Sequence, residues 1–272
     1  LEFCNIFDSH THSDNSPDGT SSIIYMCENA IKYGISGISM TDHCEVNAFY
    51  KDRYDKSIAQ SFFETRKAKA AFGKQLEITN GIEIGQPLQA VKNAETALES
   101  NPYDFVLASV HNLTDEEDFY YLNYAELTLE EVYSLLERYF IEVLDTAKWN
   151  RFDSLAHLTY PLRYIHEAGI TVELSRFDDL IDEIFKTLIQ NGKALELNTS
   201  GLRQPIGQTL PSPALVRRYR ELGGELITIG SDAHRHTDLG AGISDGMGIA
   251  KEAGFQYFAF YKQHSPKMLT MI

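Results

Sequence analysis

Cys4-Asn-Ile-Phe-Asp8-Ser-His10-Thr-His12 is the stretch that decides the fold. Its first part, Cys4 to Ser9, reads as a strand, and the strand runs into a His-x-His pair. A doubly wound open sheet, the main competing architecture, would usually place a glycine-rich phosphate loop after its first strand. Imidazoles stand there instead. Reading outward, the arrangement recurs. Thr41-Asp42-His43 ends a second candidate strand (Gly37 to Thr41), and Glu83 closes a third (Leu76 to Ile84). His111 follows a fourth (Asp104 to Val110), and His157 a fifth (Asp153 to Ala156). Ala194 to Asn198 is a sixth, Asp232 and His234 follow a seventh (Leu226 to Gly230), and Phe255 to Tyr261 is a candidate eighth.

Between these runs lie helical patterns. Thr20 to Tyr33 begins at a good capping residue and ends at Gly34. Ser57 to Phe72 ends at Gly73, and Leu129 to Lys148 carries Val132, Leu135, Leu136, Tyr139, Phe140 and Val143 at helical spacing. Asp178 to Gln190 and Pro213 to Leu222 continue the theme. Strand–helix alternation implies parallel strands joined by crossover helices. No Pro-, Gly- or Ser-rich linker interrupts it, so residues 1–272 read as a single domain, and one closed β/α barrel is the preferred architecture.

In such a barrel the carboxyl ends of all strands share one face, where catalytic residues belong. Residues two apart on extended backbone point the same way. His10 with His12, and Asp232 with His234, can therefore aim both side chains inward. Imidazole and carboxylate donors together suit zinc, iron or manganese, and there are too many of them for one ion. Any single histidine here could be an ordinary hydrogen-bonded loop residue; the repetition at successive strand ends argues for metal. His166, His236 and His264 lie outside the pattern and read as solvent-facing, and Cys44 as a packed thiol.

Composition narrows the function. Of 272 residues, 43% are hydrophobic and 23% charged, an ordinary globular balance. Apolar runs such as Phe105 to Val110 are too short to cross a bilayer, so no membrane partner is expected. Leu1 to Asp8 lacks the basic region and apolar core of a secretory signal. Cys4, Cys27 and Cys44 are odd in number and widely spaced, which points to a reducing cytoplasm. The net charge of −15 argues against polymeric nucleic acid as a partner. An anionic substrate would need local positive charge, which metal ions can supply. Nothing in the pattern specifies an oligomeric state.

Taken together, His10-Thr-His12, Thr41-Asp42-His43, Gly81-Ile-Glu83, Ser109-Val-His111, His157 and Gly230-Ser-Asp232-Ala-His234 resemble, in order, the polymerase and histidinol phosphatase (PHP) family. The resemblance implies a distorted (β/α)7 barrel, TIM-like, with about three divalent ions at the C-terminal face of the strands. It implies one ion held by His10, His12, Glu83 and Asp232. A second would be held by Glu83, His111 and His157, with Glu83 bridging, and a third by Asp18, His43 and His234. Many members carry histidine where Asp18 stands; the histidinol-phosphatase branch often has aspartate, as in His12-Ser-Asp-Asn15-Ser-Pro-Asp18. That branch also implies substrate-binding roles for Asn15, Arg163 and Arg203, since arginine suits bidentate capture of phosphate.

The function so implied is hydrolysis of L-histidinol phosphate to L-histidinol and phosphate, by a metal-activated hydroxide attacking phosphorus. Glu83, Asp232 and His234 would take part as ligands. Asp42 or a metal-bound water is a candidate acid for the leaving alcohol. The acidic stretch Asp115 to Glu131 follows the fourth strand, so part of it could overhang the site and attract the substrate amine. The alternatives are a PHP phosphoesterase acting on nucleotides or other phosphomonoesters, a non-catalytic metal-binding module, and a two-metal amidohydrolase. The last usually needs a bridging lysine, and none stands at these strand ends.

Overall fold

The computed structural model describes residues 3–272. Its strands are β1 (Phe7–Thr11), β2 (Gly37–Met40), β3 (His43–Glu45), β4 (Glu77–Gly85), β5 (Phe105–Ser109), β6 (Ser154–Leu155), β7 (Ala194–Asn198), β8 (Ile227–Gly230), β9 (Tyr257–Lys262) and β10 (Ser265–Thr270). The helices are α1 (Ile23–Lys32), α2 (Tyr54–Phe72), α3 (Val91–Ser100), α4 (Leu129–Trp149), α5 (Leu162–Glu167), α6 (Asp178–Gln190), α7 (Pro213–Glu221) and α8 (Ile243–Glu252). Seven parallel strands run in the order β1-β2-β4-β5-β6-β7-β8, and β3 adds to β4 just beyond β2. The ring closes between its last and first strands. Asp232 N donates to His10 O at 2.9 Å, and His12 N to Ala233 O at 2.8 Å. The Asp8 carboxylate reinforces the seam by accepting from Ser231 N and Gly240 N, both at 2.8 Å. The result is a distorted (β/α)7 barrel.

Strand alternation sorts the side chains. Ile38, Ile78, Leu195, Leu197, Ile227 and Ile229 join the apolar layers packed under the helices. The intervening Ser39 and Thr79 bond to each other at 2.6 Å, and Ser154 reaches Thr228 at 2.8 Å, skipping the strand between them. This is the expected period of two. On the outside, α4 presents Leu136, Tyr139, Phe140 and Val143 to the main core, as its spacing requires. Each such side chain taken fully out of water contributes about 1.5–3 kcal/mol.

Three expectations are corrected. The first strand starts later than Cys4 to Ser9 and carries His10 and Thr11 within it, with a register slip against β2 between Asp8 and Thr11; bulges of this kind re-aim a side chain near a site. Helix α1 is capped by Ser22, whose side chain accepts from Tyr25 N; Thr20 instead bonds to His234 O. The candidate eighth strand is not a barrel strand. It becomes β9, paired antiparallel with β10. This hairpin lies under the amino ends of the barrel strands, where Phe260 stacks on Phe7 (ring centroids 4.4 Å apart) and Tyr261 on Phe105 (5.2 Å).

Candidate metal centre

The strand ends deliver their side chains to one place. Glu83 comes from the carboxyl-terminal part of β4, His10 from β1 and His43 from β3. His12, His111, His157, Asp232 and His234 sit in the first turns after β1, β5, β6 and β8. Two of these positions carry backbone strain: Asp232 (φ 56°) and His157 (φ 23°) lie in the left-handed half of conformational space. Non-glycine residues are held there only when their surroundings over-determine them.

The side chains form three abutting lobes. In the first, His12 Nε2 lies 3.4 Å from Asp232 Oδ1 and 3.5 Å from Glu83 Oε2, and His10 Nε2 lies 3.4 Å from Glu83 Oε2. In the second, Glu83 Oε1 lies 2.9 Å from His157 Nε2 and 3.2 Å from His111 Nε2, and those two nitrogens are 3.3 Å apart. In the third, His43 Nε2 and His234 Nε2 are 3.3 Å apart, with the Asp18 carboxylate 3.7 and 3.1 Å away. Two donors on one tetrahedral ion with bonds of about 2.0–2.1 Å stand about 3.4 Å apart. Glu83 presents one oxygen to each of the first two lobes.

The donor set fits a cation. His10 Nε2, His12 Nε2, His43 Nδ1 and Glu83 Oε2 are buried without a well-aligned hydrogen bond among the described residues, although His43 Nδ1 stands 2.8 Å from Glu83 Oε2, and buried polar atoms are seldom left so. The protonation states divide: burial opposes charge on His10, His43 and His111, yet Glu196, Glu83 and Glu45 hold all three above the ordinary imidazole value, so a bound cation would take the place of their protons. Burial, then the nearby His234 and His43, push His12 well below the ordinary imidazole value, so its lone pair is free. Burial opposes ionisation of Glu83 and Asp232, yet the surrounding imidazoles hold both well below the usual carboxylate range. Neutral imidazole and ionised carboxylate are the ligand forms a metal requires.

Two carboxylates that the sequence reading did not assign brace this cluster. Glu196, inside β7, bonds His10 Nδ1 at 2.6 Å through one oxygen and accepts from His157 N at 2.7 Å through the other. Glu45, in β3, bonds His111 Nδ1 at 3.0 Å and accepts from Gln86 Nε2. Each fixes the ring so that Nε2 faces the cluster, as partners of metal-binding histidines do. The signal available was a carboxylate inside an otherwise apolar strand, Ala194-Leu-Glu196-Leu.

Three expected site residues have other surroundings. Asp42 is buried and accepts from Ser13 N, Ser13 Oγ, Ser16 Oγ and Ser61 Oγ at 2.5–2.7 Å. It does not line the cavity, so its acceptor capacity goes to holding the Ser13–Ser16 turn rather than to an acid role. Asn15 bonds Ser13 and Glu64, which ties the same turn to α2 instead of facing a substrate. Arg203 donates to Ser231 O at 2.9 Å, lies exposed at the rim and is not among the cavity-lining residues. Of the outlying histidines, His166 and His264 are exposed as expected, His264 also bonding Asp153 at 2.9 Å, whereas His236 is half-buried and bonds Ser21 at 3.2 Å. Cys44 is the packed thiol expected.

Above the lobes opens a cavity of about 720 Å³. Arg163 enters it from α5, buried, with Nε and one terminal nitrogen unpartnered and the latter 3.9 Å from Asp232 Oδ2. Its guanidinium lies 4.5 Å over the Tyr160 ring. The acidic loop does overhang the site: Asp118, Tyr120 and Tyr121 line the cavity.

A β/α barrel whose strand ends converge imidazoles and carboxylates beneath a buried arginine defines a class, the barrel metallohydrolases. Within that class, the PHP domain model matches residues 8–200, and the chain belongs to the PHP domain family. It is 31% identical to a probable histidinol-phosphatase of Thermotoga maritima, over 93% of this chain and 95% of that one. It is 29% identical to a histidinol-phosphatase of Lactococcus lactis, over 93% of each. Its fold matches a crystal structure of histidinol phosphate phosphatase from Lactococcus lactis, complexed with zinc, L-histidinol and phosphate, at a TM-score of 0.77 and 26% identity, covering 97% of this chain and 99% of that one.

Proposed function

We infer that the chain is a histidinol-phosphatase, a metal-dependent hydrolase that converts L-histidinol phosphate to L-histidinol and phosphate in histidine biosynthesis. The observation that carries the reading is Arg163. It is a buried guanidinium aimed into a cavity floored by cation-fitting donors, with a long 3.9 Å contact to Asp232 and two nitrogens without hydrogen bonds, and buried donors left unbonded are costly unless a ligand completes them. A phosphate dianion would complete both features, and the curated relatives carry the matching activity in their names.

In this reading the whole chain works as one barrel domain, in the cytoplasm. His10, His12, Glu83 and Asp232 hold one divalent ion, Glu83, His111 and His157 a second, and Asp18, His43 and His234 a third; zinc, iron or manganese suits the donors. When bound, such ions supply positive charge against the phosphoryl oxygens and make water more acidic. The chain's own residues do the rest. Arg163 orients the phosphate and stabilises charge on its oxygens as the ester bond breaks. Glu196 and Glu45 keep His10 and His111 turned inward. Tyr120, Tyr121, Tyr160 and Tyr164 wall the cavity and limit water. Arg203 steadies the turn that carries Asp232, from the rim.

The test is a phosphate-release screen of metal-loaded protein against L-histidinol phosphate, nucleotides, phosphotyrosine and single-stranded oligonucleotides. L-Histidinol phosphate is expected to exceed any oligonucleotide end by at least a hundred-fold in kcat/KM, which needs about 2.7 kcal/mol of discrimination. Comparable release of nucleotides from single-stranded DNA would move the chain to an exonuclease reading.

A further inference from the structure

We propose that Asp118 sets specificity by receiving the ammonium group of the substrate, so that the cavity reads an amino-alkyl phosphate and not a phosphate monoester at large. The proposal rests on the histidinol-phosphatase reading and adds a recognition residue to it. The cavity has two chemically different sides. Arg163 is the one lysine or arginine on its wall. Across the Tyr160 ring from the metal lobes stands Asp118. Tyr160 is 5.0 Å from both the His111 and His157 rings, and its hydroxyl reaches Asp118 Oδ1 at 3.4 Å. Asp118 therefore lies one ring beyond the place where a phosphate would sit. In L-histidinol phosphate the ammonium group stands two carbons from the ester oxygen, on the side of the molecule away from the phosphate.

The other carboxylates on the wall are committed or unsupported. Asp18 and Asp232 belong to the lobes, Glu45 is held by His111 and Gln86, and Asp52 is solvent-exposed. Asp118 is different. Its Oδ1 accepts from Tyr120 N at 2.8 Å, which fixes the carboxylate, while Oδ2 has no protein partner among the described residues. Tyr120, Tyr160 and Tyr164 surround it, with Tyr120 and Tyr164 rings 5.7 Å apart and Tyr160 and Tyr164 rings 5.4 Å apart. Aromatic faces beside a fixed carboxylate are suited to an alkylammonium ion. Burial pushes the Asp118 carboxyl above its usual range, a penalty that a bound cation would cancel.

The experiment compares wild type and Asp118→Asn, both metal-loaded, on L-histidinol phosphate and on 3-(imidazol-4-yl)propyl phosphate, which lacks only the hydroxymethyl-bearing carbon's amine. Asparagine keeps the acceptor for Tyr120 N. Wild type is expected to prefer the amine-bearing compound, and the variant to lose about ten- to hundred-fold in kcat/KM on it, chiefly through KM. The loss on the desamino compound is expected to be much smaller, so the preference collapses. Equal losses on both compounds would mean that Asp118 only shapes the site, and the proposal would be overturned. So would a retained preference in the variant, or a wild type indifferent to the amine; both results leave the histidinol-phosphatase reading standing. Hydrolysis of neither compound would remove that reading and the proposal together.

Discussion

The two ends of the barrel solve opposite problems. At the floor the charged groups are paired and only neutral atoms, the Tyr261 hydroxyl and Asn80 Oδ1, lack a partner among the described residues. Phe7 and Phe105 stack on Phe260 and Tyr261, and Asp104 accepts from Lys69 Nζ (2.7 Å), Asn80 N (3.0 Å) and Gln263 N (3.2 Å). At the mouth, buried polar atoms of His10, His12, His43, Glu83 and Arg163 crowd together without well-formed hydrogen bonds. The floor is built for stability, and the mouth keeps its polar atoms free for ligands, as the fold's two faces usually do. The difference teaches that it is the clustering of unsatisfied titratable groups that marks function here, because a barrel-length away the charged side chain of Asp104 is fully engaged.

The hardest blow to the mouth would be Glu83→Gln. Elemental analysis of wild type is expected to find more than two transition-metal equivalents per chain. The variant should lose metal from two positions and release phosphate only at background; full occupancy would refute the bridging assignment. The floor counterpart is Phe7→Ala. Removing a buried aromatic ring typically costs about 3–5 kcal/mol, so Tm should fall steeply in calorimetry while metal content at low temperature stays at the wild-type count. Loss of metal in the folded variant would break the division between the two ends.

Smaller effects sharpen it. Arg163→Ala should cost about ten- to hundred-fold in kcat/KM, the worth of an unmade charged hydrogen bond, with metal content unchanged; Arg203→Ala, whose observed contact is Ser231 O, should cost less. Wild-type kinetics for Arg163→Ala would remove the phosphate clamp. Glu196→Gln should weaken metal retention against a chelator by about ten-fold or more, the usual scale for the partner of a ligating histidine. Smallest is Asp104→Asn. Burial tends to raise the Asp104 carboxyl, but Lys69 and the Asn80 amide hold it below its ordinary value. A depressed carboxyl contributes stability above its unfolded value and loses it as pH falls through the folded one. The wild type should therefore lose Tm below about pH 4 more steeply than the variant, by less than about 1 kcal/mol since the pair is partly exposed.

The barrel strands were legible because most couple an apolar run to a helix of clear spacing, while the short helices α3, α5 and α8 gave no such pattern; the donors were legible because they recur where those runs stop. What was not legible has physical causes. Tyr257–Lys262 has the composition of any buried strand, and only the partner that pairs with it shows that it lies across the floor. Asp42 sits beside His43 in sequence, but the direction of its side chain depends on a turn organised by Ser13, Ser16 and Ser61, residues far apart in the chain. Glu45 and Glu196 carry no spacing signature, since each acts through a histidine from a different strand.

Gly230 and Gly85 carry a consequence for variation in this chain. A methyl group at Gly230 would run into His10 Cβ and stand 2.6 Å from Glu196 Oε1, and one at Gly85 would strike the Glu45 carboxylate. Neither position faces a substrate, and neither offers a donor atom. In a saturation-mutagenesis library selected for activity, both should nevertheless be as depleted of alternatives as the histidines themselves, with alanine already excluded. Two hydrogen atoms thus set the tolerance of the whole cluster, which makes these glycines better sentinels of an intact site than any rim residue.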